Sequence, residues 1–307
     1  MIREEVIRTE VREIRLDEFA RLDCYMPDSA IGFQIYRPRP AVIICPGGAY
    51  LIHATKEAEP VALEFMSRGF AAFVLRYAIA TDREHPERGF DERVRYPMQA
   101  LELMEAIHVL RQHKEEMHLT DDIFMMGFSA GGHVCATVGT KWNDERLVSE
   151  LDFTPERGEL RTCGMILGYP MLASNSEDFS GEEFRRLDQT TVDGVNKVLY
   201  GTARPDAEQL DSCNLVHAVS GDTVPAFIWH SVDDPVVDSR NSTAFILRMQ
   251  SLGVPCEFHL FSHGGHGLGL ANRYYARSAR ECDSDIAIWP KLVESWMSRL
   301  MDRKELS

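Results

Sequence analysis

The sequence predicts an α/β fold: a mainly parallel central sheet with helices on both faces. Three observations carry this. Short apolar runs alternate with amphipathic stretches along most of the chain. Those runs are continuously apolar rather than alternating, as in strands buried on both faces. The intervening segments have the length and spacing of crossover helices, for which right-handed connections are the default.

The elements follow in order. The first 36 residues alternate charged and apolar positions loosely, as in Val6-Ile7-Arg8-Thr9-Glu10-Val11, and predict one or two half-exposed antiparallel strands. Ala41–Cys45 reads as the first buried strand, Ala58–Met66 as a helix closed by Ser67-Arg68-Gly69, and Ala71–Leu75 as the next strand. Pro97–His113 is a long helix with proline near its first turn. Strands are predicted at Ile123–Met126, Met165–Gly168, Pro225–Trp229 and Cys256–Phe261, and helices at Ser239–Leu252 and Ile286–Met301. Two stretches break the rhythm: the charged segment Thr81–Arg95 and the long segment Ala173–Ser220. Both should leave the sheet at the end where α/β proteins bind ligands. The second is expected to be a small insertion or cap near 173–220.

The chain has 307 residues, 44% hydrophobic and 26% charged, which suits one large globular domain over residues 1–307. A formal net charge of −15 argues against nucleic acid or an anionic membrane as partner. The seven cysteines are scattered and odd in number, with no CxxC pair, so a reducing compartment is favoured. The charged start Met1-Ile2-Arg3-Glu4-Glu5 does not read as a signal peptide, and no apolar run reaches the length of a membrane span. A cytoplasmic location is expected. Oligomeric state is not readable.

The stretch Gly127-Phe128-Ser129-Ala130-Gly131 follows one predicted strand and opens a helix. Alone, G-x-S-x-G is a weak match that a flexible turn also satisfies. Placed between strand and helix, it fits a sharp turn that presents a nucleophilic serine at a helix N-terminus. Serine needs a base to take its proton, and the base needs an orienting acid. Both candidates come later in the chain, each directly after a strand. The acid is Asp233 or Asp234, in His230-Ser231-Val232-Asp233-Asp234-Pro235-Val236-Val237. Asp234 is preferred because Asp-x-x-Val leading into a helix places it at the turn apex. The base is His263 or His266, in Ser262-His263-Gly264-Gly265-His266-Gly267. His266 is preferred because flanking glycines let its loop fold back over the sheet. The other histidines, His133 included, read as packing residues. A zinc site on His263 and His266 has no supporting cysteine or carboxylate cluster, so no metal or organic cofactor is expected. Oxyanion donors are expected from the backbone of Ala130 and from the glycine loop Cys45-Pro46-Gly47-Gly48-Ala49-Tyr50.

With these residues in place, the chain resembles the α/β-hydrolase superfamily. More narrowly, it resembles the bacterial acetyl-esterase and acetylxylan-esterase-like group often labelled sugar-ester hydrolases. The resemblance runs from about residue 36 to the end. It rests on the Pro46–Tyr50 loop, the Gly127–His133 turn, Trp229–Val237 and Gly264–Leu270. It implies an α/β-hydrolase fold, a triad of Ser129, Asp234 and His266, and oxyanion donors at Gly48, Ala49 and Ala130. Two departures stand out. Ala49 replaces the third glycine usual in the group, and Pro46 stands where related lipases have histidine. Dienelactone hydrolases share the fold but carry cysteine where this chain has Ser129. The expected activity is hydrolysis of short acyl esters, above all O-acetyl groups on small carbohydrates such as xylo-oligosaccharides. A general short- to medium-chain esterase is the alternative. Serine peptidases of this fold usually carry an added β-propeller, for which there is no room; a non-catalytic binder would be expected to lack a triad member. Tyr50, Tyr77, Tyr169 and Trp142 are the candidate stacking faces for sugar rings, with core packing the favoured alternative for each, since aromatic residues beside apolar strands are expected anyway.

Overall fold

The computed structural model describes residues 12–26, 38–82, 85–173 and 187–305. Its strands are β1 (Arg12–Arg15), β2 (Arg21–Tyr25), β3 (Arg39–Cys45), β4 (Ala71–Arg76), β5 (Leu119–Phe128), β6 (Gly164–Gly168), β7 (Ala226–Ser231) and β8 (Cys256–Phe261). Its helices are α1 (Glu59–Ser67), α2 (Met98–Gln112), α3 (Ala130–Lys141), α4 (Glu145–Val148), α5 (Gln189–Tyr200), α6 (Ala207–Ser212), α7 (Leu215–Ala218), α8 (Ser239–Ser251) and α9 (Trp289–Glu305).

One open sheet runs in the order β1-β2-β4-β3-β5-β6-β7-β8. β2 is antiparallel to both β1 and β4, and every pairing from β4 to β8 is parallel. The antiparallel N-terminal pair matches the alternating pattern read there. The rest of the 1–36 prediction, residues 1–11 and 27–36, lies outside the described residues.

The continuous apolar runs have the expected cause. In β3, Ala41, Ile43 and Cys45 face one core while Val42 and Ile44 face the other. Leu103 and Ile107 of α2, Val134 and Val138 of α3 and Phe245 and Met249 of α8 fill the first core. Val61 and Phe65 of α1, with Val293, Trp296 and Met297 of α9, fill the second. Each fully buried Val, Leu, Ile or Phe contributes about 1.5–3 kcal/mol of transfer free energy.

Some boundaries move. β5 starts four residues earlier than its apolar run, and the closing helix begins with a 3₁₀ turn over Ile286–Ile288. Of the predicted insertion, residues 174–186 lie outside the described residues. The remainder forms α5, α6 and α7. α5 is capped by Asp188, whose side chain accepts from the Thr191 amide, and ends at Gly201 with φ 73°. Among the described residues no helix is long and apolar enough to cross a membrane.

Candidate active site

The chain leaves β3 for β4 on one side and returns to β5 on the other. The loops after β3 and β5 therefore diverge at the point where strand order reverses, a ready-made crevice. Ser129 stands at its head. Its backbone sits at φ 52° and ψ −117°, a strained conformation for a side-chain-bearing residue. The glycines around it permit the turn. A Cβ on Gly127 would lie 2.2 Å from the Gly131 carbonyl oxygen, and one on Gly131 would lie 2.0 Å from that of Cys45.

His266 comes from the loop after β8, between Gly265 (φ 75°) and Gly267 (φ 72°). Its Nε2 is 3.0 Å from Ser129 Oγ, and its Nδ1 is 2.7 Å from Asp234 Oδ2. In the neutral ring Nδ1–H donates to the carboxylate, leaving Nε2 to accept the serine proton. The Asp234 side chain is fully buried. Burial alone would raise its carboxyl, but hydrogen bonds and charge from His230 and His266 hold it well below the usual carboxylate range. Its Oδ1 also accepts from the amides of Val236 and Val237 at 2.8 and 3.0 Å.

The structure separates the paired candidates. Asp233 is exposed and accepts from the Gly265 amide at 2.9 Å, so it holds the histidine loop instead of the ring. His263 is exposed, with Nε2 3.0 Å from Asp283. It groups with Asp283 and Asp285, their potential ligand atoms within 4.8 Å of one another, so two carboxylates accompany His263 where the sequence suggested none; His266 is not part of that group.

Gly48, Ala49 and Ala130 line the same cleft as Ser129 and His266, about 730 Å³ in volume. Their amides donate to no other acceptor among the described residues. Gly48 takes φ 125°, where a Cβ would collide with the Ile52 carbonyl at 2.0 Å. Ala49 tolerates φ 59°, so its methyl does not prevent the loop from forming.

The three tyrosines are a correction. Tyr50, Tyr77 and Tyr169 are completely buried and present no face to a sugar. Each hydroxyl is committed to the scaffold instead. Tyr50 donates to His133 Nδ1 at 2.7 Å, Tyr77 to the Pro46 carbonyl at 2.5 Å, and Tyr169 to Glu57 Oε1 at 2.7 Å. His133 is neutral: burial lowers it to about 4. Trp142 caps the far end of α3 from Ser129 and donates to the Asp222 carbonyl.

Two residues were missed from sequence. Buried Glu57 accepts from the Gly47 amide at 2.7 Å and from Tyr169, whose hydroxyl in turn accepts from the Gly269 amide at 3.1 Å. Burial raises its carboxyl, against hydrogen bonds and the nearby His266 that lower it. His230 bonds Asp234 from behind. Glu57 sits in an ordinary charged helix start, and His230 ends an apolar strand; neither position carries a local signal. The insertion supplies a wall as well, through Val192, Val195 and Asn196 of α5.

This sheet order, with a strained serine turn after β5, defines the fold as that of the α/β-hydrolases. A solved acetyl ester-xyloside bifunctional hydrolase from Caldicellulosiruptor lactoaceticus superposes with a TM-score of 0.67 at 29% identity, covering 92% of this chain and 89% of that one. The BD-FAE family model matches residues 22–249, and the chain belongs to that family. Endo-1,4-beta-xylanase B of Butyrivibrio fibrisolvens is 29% identical over 237 residues, 76% of this chain and 33% of that protein. Acetylxylan esterase of Xylanibacter ruminicola is 24% identical over 261 residues, 83% of this chain and 45% of that protein. The chain thus spans a third to about half the length of the curated relatives it matches.

Proposed function

We propose that this chain hydrolyses carboxylic esters by a serine mechanism, with O-acetyl groups on small carbohydrates such as xylo-oligosaccharides as substrates. The observation that carries the reading is the hydrogen-bonded line from Ser129 through His266 to buried Asp234, beside three available backbone amides. His266 takes the Ser129 proton as Oγ attacks the ester carbonyl. The oxyanion develops against the amides of Gly48, Ala49 and Ala130. His266 then protonates the departing alcohol, and water, deprotonated by the same ring, releases the carboxylic acid. Asp234 orients the ring and balances its transient charge. The sugar-acetyl preference is supported by the xylan-related names of the relatives.

A second reading is a general short- to medium-chain carboxylesterase. The apolar cleft lining, including Leu51, Met171, Val192 and Val236, favours it, since an acetyl group alone does not fill about 730 Å³.

The test is acetate release from acetylated xylo-oligosaccharides beside a p-nitrophenyl ester series from C2 to C8. Wild type should release sugar acetate and prefer C2. Turnover of C4 to C8 esters without sugar acetates would leave the second reading. Ser129→Ala should lose about 10⁴-fold or more in kcat/KM and all labelling by a fluorophosphonate. Retained turnover would remove Ser129 from the mechanism.

A further inference from the structure

Asp234 Oδ2 serves two imidazoles. His266 Nδ1 lies 2.7 Å from it on the cleft side, and His230 Nε2 lies 3.0 Å away on the buried side. His230 is fully buried at the end of β7. Its Nε2 also faces the Val237 carbonyl at 3.0 Å, and its Nδ1 faces Ser242 Oγ on α8 at 2.8 Å. The neighbours assign the proton. A carboxylate and a carbonyl can only accept, so Nε2 carries the hydrogen, and in the neutral ring Nδ1 accepts from the Ser242 hydroxyl.

We propose that His230 is a positioning residue that moderates Asp234: by donating to the oxygen that holds His266, it fixes that oxygen in place and draws off part of its negative charge. The proposal rests on the reading of Ser129, His266 and Asp234 given above. The charge effect has a definite sign. A carboxylate oxygen with one donor instead of two holds protonated His266 more strongly, so losing the His230 donor makes His266 take up its proton at higher pH. The acid limb of the rate profile then moves upward. A residue that merely filled space would lower the rate without moving that limb.

Other charged or titratable groups facing this line must be held constant. Glu57 approaches His266 through Tyr169, whose ring lies 4.8 Å from it edge-on. Asp233 holds the Gly265 amide. The cleft wall adds Arg277, the Lys56–Glu281 pair and Asp238. All are unchanged by substitution at 230 or 242. Repeating the measurement in a Glu57→Gln background removes the one buried carboxyl among them.

The experiment is kcat/KM for p-nitrophenyl acetate from pH 4.5 to 9, on the full chain. His230→Phe, which lacks the donor, should displace the acid limb upward by about 0.5–1 pH unit, while His230→Gln, which can place an N–H where Nε2 stood, should stay near wild type. Ser242→Ala, a mild change should His230→Phe fail to fold, should show a smaller upward displacement. Coincident acid limbs for wild type and Ser242→Ala, or for wild type and a folded His230→Phe, overturn the proposal. Ser129→Ala is assayed alongside. Turnover retained there overturns the underlying site reading, whereas abolished turnover with coincident limbs overturns the role of His230 alone.

Discussion

Two buried carboxyls meet opposite fates. Asp234 has four donors around it and stays ionised. Among the described residues, Glu102 on α2 accepts one bond, from the Ala78 amide, and its other oxygen has no partner. Burial and the charges of Asp17 and Glu105 push it well above the ordinary range, although the Ala78 amide lowers it. The linkage follows. An unfolded glutamate loses its proton near pH 4.3, while folded Glu102 keeps it to higher pH. The folded state then binds more protons than the unfolded one, so stability falls as pH rises above about 4.3 toward the folded value. Glu102→Gln should remove that loss. Thermal melts should show the variant a few degrees above wild type at pH 8, with the gap closing at pH 4. Equal melting at pH 8 would mean Glu102 is not held protonated.

At the scale of elements, the β5–α3 junction decides whether the site exists. The helix starts so close to β3 that only hydrogen fits on Gly131. Ser129 takes its strained backbone because the junction holds it: its amide donates to the Gly168 carbonyl at 3.1 Å, and its carbonyl accepts from Met171 at 3.0 Å. Gly131→Ala must push α3 from the sheet. The expected cost is about 1–3 kcal/mol or more, seen as a lower urea midpoint, with activity falling further than stability as Ser129 shifts. A variant with wild-type stability and rate would contradict the packing. The glycines here are legible from sequence, since a serine between two glycines at a strand end announces such a turn. The burial of Tyr50, Tyr77 and Tyr169 is not, because a tyrosine beside a strand end can face the cleft or the core at equal local cost.

At the scale of the molecule, the site is where loops from five strand ends converge: β3 brings the amide loop, β5 Ser129, β6 Tyr169, β7 Asp234 and β8 His266. Glu57 ties the first to the third and the last, through Gly47, Tyr169 and Gly269. Its removal should loosen the amide loop most, while the direct hydrogen bonds among Ser129, His266 and Asp234, none of which involves Glu57, stay in place. Glu57→Ala is expected to lower kcat about 10- to 100-fold, less than the 10²–10³ of losing an oxyanion donor outright, with smaller change in KM. Steady-state kinetics beside circular dichroism checks this. An unchanged kcat would show that the loop holds its shape unaided. The Glu57–Tyr169 contact spans 112 positions, so nothing near Glu57 in sequence could disclose it.

The sequence by itself determined the parallel sheet, the antiparallel start, the serine turn and the order of the candidate acid and base. Each is written locally, in hydrophobic continuity, in glycines where a Cβ would collide, and in polar residues placed just after strands. The sequence also favoured Asp234 and His266, and the tertiary structure joins those two to Ser129 in one hydrogen-bonded line while Asp233 and His263 stay exposed. Only the tertiary structure decided the burial of the tyrosines, the placement of Glu57 and His230, and the α5 wall. These depend on which side chains from distant segments share one buried hydrogen-bond network. The physical reason is that most buried polar atoms need a partner, and the partner is chosen by the packing of strands far apart in the chain.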